Sequence, residues 1–118
     1  MMMFKEHPDV QIPVWLLGLG FTDESWHHDA CPKMVRTLLS WKDRTDIGES
    51  MLQSTLQLVV WVNFEEKERR EVPDKWQVSL EINGEGVDWM PAGVYAGEDE
   101  TVAIASVVRV LDGLRTIP

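Results

Sequence analysis

Seven residues, Trp76-Gln77-Val78-Ser79-Leu80-Glu81-Ile82, alternate strictly between apolar and polar and run directly into Asn83-Gly84. Trp76, Val78, Leu80 and Ile82 fall on one parity and Gln77, Ser79 and Glu81 on the other. That pattern describes a strand with one buried and one wet face, which suits an antiparallel sheet; parallel strands are normally covered on both faces. Asn-Gly readily adopts the positive φ angles of a two-residue hairpin turn. The chain is therefore expected to return along Glu85–Met90, with Val87 and Trp89 inward, until Pro91 stops it.

A second strand is legible upstream. Leu56, Leu58, Val60, Val62 and Phe64 share one parity, with Gln57 and Asn63 opposite; Val59 and Trp61 lie on that second face and imply that it is partly covered. Residues 33–41 fit two periods, a strand through Val35, Thr37, Leu39 and Trp41 or a helix face through Met34, Val35, Leu38 and Trp41. The β-branched and aromatic residues share one alternation, which favours the strand. The polar run Lys42–Ser50, containing Gly48, would join the two as antiparallel neighbours.

Helices are expected at both ends. Pro13-Val14-Trp15-Leu16-Leu17 reads as a short helix with Pro13 at its first position and Gly18 or Gly20 ending it. Near the C-terminus Ile104, Val107, Val108, Leu111 and Leu114 keep helical spacing, with Asp99 or Thr101 as the cap and Gly113 near the end. Valine lowers the intrinsic propensity of this segment, so packing must hold it. Strands grouped between helices give an α+β fold: a small antiparallel sheet of three or four strands with a C-terminal helix and a short N-terminal helix, in a single domain spanning 1–118.

Charge narrows the function. Twenty acids against eleven bases leave a net charge of −9, which repels phosphate backbones and argues against direct nucleic-acid binding. No apolar run reaches the ~18–20 residues of a membrane-spanning helix. Cys31 is the one cysteine, so no intrachain disulfide is available, and the N-terminus lacks the pattern of a signal peptide; a cytoplasmic protein is expected. Gly18-x-Gly20 lacks the third glycine of a dinucleotide site, and neither a Gly-Lys-Ser/Thr loop nor Gly-x-Ser-x-Gly is present. No cofactor is expected.

The densest chemistry lies in residues 22–32, read as an ordered loop, where His27, His28, Asp29 and Cys31 offer imidazole, carboxylate and thiol within five residues. Zinc takes such ligands, yet adjacent histidines in an extended stretch point to opposite faces, and no Cys-x-x-Cys or His-x-x-x-His accompanies them. His7, Asp23 and Glu24 could contribute only if the fold brings them near. A Cys31 nucleophile with a histidine base is the enzymatic alternative, but the surrounding acids would raise the thiol pKa. The plainer reading is a loop whose histidines bond to backbone and whose cysteine is buried beside Pro32.

Six tryptophans stand at positions 15, 26, 41, 61, 76 and 89. Trp15 and Trp76 fall on expected core faces, while Trp61 and then Trp26 are the best candidates for exposure. An exposed tryptophan is most often an interface anchor. Glu65–Glu71 mixes four acids with three bases and reads as a solvated turn. Between Glu81 and Glu100 there are six acids, Glu81, Glu85, Asp88, Glu98, Asp99 and Glu100, and no lysine or arginine. Such a surface attracts a basic partner. Asn83-x-Glu85-x-x-Asp88 does not have the spacing of a calcium-binding loop.

Ser25-Trp26-His27-His28-Asp29-Ala30-Cys31-Pro32, with Trp61-Val62-Asn63-Phe64 and Arg70-Glu71 further on, resembles small bacterial proteins that share a Trp-His-x-Asp-x-Cys-Pro core. The resemblance covers about a fifth of the chain. It implies that the histidine loop is a shared feature and implies no activity. The expected function is protein–protein contact, as an adaptor, accessory or inhibitor subunit. A phage-type mimic of nucleic acid is one version. The binding surface would comprise Trp26, Trp61, Glu85, Asp88, Glu98, Asp99 and Glu100, facing an unidentified basic protein. A homodimer through a sheet edge is compatible with this. The alternative is a metal-dependent or thiol enzyme centred on His27, His28, Asp29 and Cys31.

Overall fold

The computed structural model describes residues 2–44, 51–82, 85–86 and 93–115. Helix α1 spans Val14–Gly18, followed by strands β1 (Thr22–Asp23), β2 (Lys33–Arg44), β3 (Met51–Val62), β4 (Trp76–Ile82), β5 (Glu85–Gly86) and β6 (Gly93–Gly97), and then by helix α2 (Glu100–Arg115). A single 3-10 turn covers Lys67–Arg69. The architecture is the expected α+β, with an antiparallel sheet larger than three or four strands. Its order is β1-β2-β3-β4-β5, with β6 also on β4. Since β3 occupies one edge of β4, β5 and β6 share the other, meeting Glu81–Ile82 and Trp76–Ser79 respectively.

Parity places the core as the alternation demands. Val62, Val60, Leu58 and Leu56 stand opposite Trp76, Val78, Leu80 and Ile82. This face carries the main cluster: Phe4, Ile12, Leu16 and Phe21 from the N-terminal segment, and Ala103 and Val107 from α2, close over Met34, Leu58, Val60 and Val78. Of the positions expected to bury the last helix, Val107 is fully buried, whereas Val108 is 38% exposed. The buried face is rotated onto Ala103, Ser106 and Val107. Ser106 can occupy it because its hydroxyl donates to the Val102 carbonyl at 2.8 Å.

Pro13 precedes α1 as its cap, with ψ 125°, instead of forming the first helical residue. The helix ends through Gly20, whose φ of +86° lets Phe21 N–H reach back to the Leu16 carbonyl. Strand β2 departs from simple alternation: a bulge between Thr37 and Leu39 sets Leu39 opposite Leu56 and Trp41 opposite Ser54. The residues read as one face, Val35, Thr37, Leu39 and Trp41, are thus split between two.

Several expectations fall on segments that are not described. The Asn83-Gly84 turn, Asp88, and the return-arm residues Val87 and Trp89 lie outside the described residues, as do positions 45–50 of the loop expected between the first strands. Of Glu85 only the backbone pairing with Ile82 is described. β6, with a glycine at each end, shows no alternation in the sequence. There Gly97 lets the Tyr95 ring lie against the backbone, since a Cβ would collide with the phenol oxygen.

Candidate functional site

The histidine loop leaves the sheet at β1 and rejoins it at β2, and its base is tied by a short ladder. Lys33 N–H donates to Ser25 Oγ at 2.7 Å, the Ser25 hydroxyl donates to the Lys33 carbonyl at 3.2 Å, and Glu24 N–H donates to the same carbonyl at 3.1 Å. Asp23 accepts from Ser25 N–H through one carboxylate oxygen and from Lys5 N–H through the other, each at 2.9 Å. Asp29 closes the tip: its carboxylate accepts from Trp26 N–H at 2.7 Å, and its own N–H donates to the Trp26 carbonyl at 2.9 Å. Aspartate is suited to both turns because its short side chain reaches nearby backbone N–H groups.

This closure bends residues 26–29 into a turn, so the opposite-face expectation for an extended stretch does not apply. The His27 and His28 rings lie 3.9 Å apart between centroids, and the Trp26 indole contacts both, at 5.5 and 5.2 Å. Trp26 is 61% exposed. The result is an aromatic knob on a closed loop, flanked by Asp23, Glu24 and Asp29, with no lysine or arginine between residues 22 and 32.

The remaining member of the motif is elsewhere. Cys31 is 2% exposed, and burial, reinforced by the Asp29 charge, pushes its thiol up to about 11. Asp29 is engaged by the turn. Among the described residues, no group of three or more His, Cys, Asp or Glu side chains comes together as a metal would require. His7 packs edge-on against Phe64, and its buried Nε2 meets no hydrogen-bond partner among the described residues. A thiol held this high reacts slowly, because the thiolate is the nucleophile. In the native protein Cys31 is expected to react with an aromatic disulfide reagent at neutral pH roughly a hundredfold more slowly than free cysteine. Denaturant should restore the full rate. Rapid stoichiometric labelling of the folded chain would contradict this environment.

Trp61, expected to be the most exposed tryptophan, is half-buried, and the Lys33 ammonium stands 5.2 Å from its ring centroid. On the same face of the sheet Glu81 is partly withdrawn from solvent, and burial raises its carboxyl above the usual range.

The acids of residues 98–100 each already have a structural role. Glu98 accepts from Arg70 Nη1 at 2.8 and 3.1 Å and from Lys75 N–H at 2.7 Å. The Arg70 guanidinium, and then that backbone N–H, hold the Glu98 carboxyl below its ordinary value. Asp99 caps α2, accepting from Thr101 N–H at 2.9 Å, and its own N–H donates to the Tyr95 hydroxyl at 3.0 Å. Glu100 accepts from the Trp15 indole N–H at 3.3 Å.

The charged connector is likewise more than a solvated turn. Arg70, whose side chain is only 4% exposed, donates to the carbonyls of Phe64, Pro73 and Glu65 at 2.6, 3.0 and 3.2 Å. Asn63, buried at the end of β3, donates to the carbonyls of Val72 and Asp74 and accepts from Phe64 N–H. Lys75 Nζ donates to the Asn63 carbonyl at 2.6 Å and lies 3.3 Å from Glu65. Shallow grooves flank this clasp, one of about 590 Å³ lined by Lys67, Arg70 and Glu98 among others, another of about 280 Å³ at Lys75, Trp76 and Glu100. The role of Arg70 is not legible in the sequence, because its fan of acceptors is backbone carbonyl, which carries no residue-type signal.

Among the described residues no helix is long and apolar enough to cross a membrane. No protein family, curated protein or solved structure matches this chain.

Proposed function

We propose that this protein acts by protein–protein contact, as an adaptor, accessory or inhibitor subunit, and that the contact is anchored by Trp26 on the closed loop 25–33. The observation that carries the reading is a tryptophan 61% exposed on a loop tied at base and tip. A large apolar side chain kept in water by a rigid turn has little part in the core. Such preordered aromatic groups bind with little further loss of side-chain freedom. Asp23, Glu24 and Asp29 surround it with negative charge, and the whole chain carries −9, so the complementary partner is basic. The acids at 98–100 add to the long-range field that steers such a partner. Their local bonds belong to the fold, so reversing their charge cannot separate binding from stability.

The test uses affinity capture from the protein's own cell extract, with wild-type and Trp26→Ala chains side by side. A basic protein retained by the wild type should be lost or reduced at least about tenfold by Trp26→Ala, with thermal stability unchanged. Retention should also weaken as salt rises. Equal retention by both chains would remove Trp26 from the interface.

A further inference from the structure

Four acids outside the histidine loop, each with its side chain more than half exposed, are held by cations. Arg69 takes Asp9 and Glu66, Arg70 takes Glu98, and Lys75 takes Glu65. The loop is different. Asp23 accepts from the backbone N–H groups of Lys5 and Ser25, Glu24 from the Thr22 hydroxyl, and Asp29 from the Trp26 N–H. All of these donors are neutral, so they position the carboxylates without cancelling their charge. Among the described residues none of the three acids has a lysine or arginine within ion-pair distance.

The Trp26 indole stands among these acids. Two imidazoles pack against it at 5.5 and 5.2 Å, yet the residue remains 61% exposed. The face of an indole attracts cations through its quadrupole, more strongly than any other aromatic side chain. Ring and carboxylates thus favour the same kind of ligand. One oxygen of Glu24 and one of Asp29 are also without a partner among the described residues.

We infer that this loop receives an arginine side chain of the partner, whose guanidinium stacks on Trp26 and donates to the open oxygens of Glu24 and Asp29. The inference rests on Trp26 as the anchor and adds the chemistry of what it meets. A lysine ammonium is a compact, strongly hydrated charge and gains little by leaving water for an exposed ring. Guanidinium is planar and weakly hydrated, lies flat on an aromatic face, and keeps its in-plane N–H groups for carboxylates. An apolar side chain would cover the indole and leave the acids uncompensated.

Titration of the isotopically labelled full chain with hexa-arginine and, separately, with hexa-lysine at matched salt tests this. The indole N–H signal of Trp26, identified by its absence from Trp26→Phe, reports the binding. The two peptides carry the same charge, so long-range attraction is common to both and their difference reads the stack. Hexa-arginine should bind roughly three- to tenfold more tightly than hexa-lysine. In Trp26→Ala, followed through the backbone N–H signals of residues 24 and 29, the two peptides should bind equally. Glu24→Gln should weaken hexa-arginine at least about twofold, with Tm unchanged. Equal affinities in the wild type would overturn the proposal, as would an arginine preference that survives Trp26→Ala or an arginine affinity untouched by Glu24→Gln. Equal peptide affinities together with a natural partner lost on Trp26→Ala would refute the arginine and leave the anchor standing. An arginine preference together with unchanged capture by Trp26→Ala would refute the anchor instead.

Discussion

Replacing Arg70 with leucine is expected to destabilise the fold by about 3–5 kcal/mol, because three backbone carbonyls lose their donor at about 1–3 kcal/mol each, less what water can supply. The side chain is 4% exposed, and its loss strands the carbonyls of Phe64, Glu65 and Pro73 and removes the ion pair to the half-exposed Glu98. At roughly 4 °C per kcal/mol for a chain of this size, Tm should fall by about 12–20 °C. Denaturant unfolding followed by tryptophan fluorescence measures it; a midpoint unchanged from wild type would show that the clasp is incidental. The variant should also be less sensitive to acid. Glu98 has its pKa depressed in the folded chain by Arg70, so its contribution is present above the unfolded carboxylate value and disappears as pH falls through the folded one. Without Arg70 that share of the acid-induced loss should be absent.

Asn63→Leu is expected to cost about 3 kcal/mol, although leucine has the same branched heavy-atom skeleton and asparagine is usually an exposed residue. Asn63 is 1% exposed, and its amide bridges three backbone groups, the carbonyls of Val72 and Asp74 and the N–H of Phe64. Leucine leaves all three unpaired, each at a cost of about 1–3 kcal/mol less whatever water can reach. Asn63→Asp should be destabilising too, because a carboxylate accepts only and cannot donate to the two carbonyls. Urea titration gives both values. A leucine variant as stable as wild type would mean that solvent satisfies these groups.

Much of the sheet was legible because a period of two leaves a mark on composition. Trp76 to Ile82 and Leu56 to Val62 occupy the faces that their alternation implies, and the fold class follows from their grouping between two helices. β1 and β5, at two residues each, are too short to show any period. β6 was masked by its glycines, and the bulge in β2 shifted the parity of Leu39 and Trp41 relative to Val35. The last helix was placed well, but Val108 points outward because Ala103 and Ser106 are small enough for α2 to lie close over β4 and β6. Small residues at such a contact give no hydrophobic signal.

The histidine loop was found as a cluster of reactive residue types, and its geometry reassigns them. Asp29 closes a turn, Cys31 is buried, and the two imidazoles gather against Trp26 instead of diverging. The acids of residues 98–100 stood out by their density, yet what distinguishes them is their partners, Arg70, the start of α2 and Trp15. Those partners are remote in sequence or belong to the backbone, and neither kind is visible to a reading by composition.

The most direct measurement is site-specific photo-cross-linking in the native cell, with benzoylphenylalanine placed at position 26 and, as a control, at the exposed position 77. A discrete adduct with a basic protein from position 26 and none from position 77 is the expected result. The same adducts from both positions, or none from position 26, would contradict the claim that this loop is the binding surface.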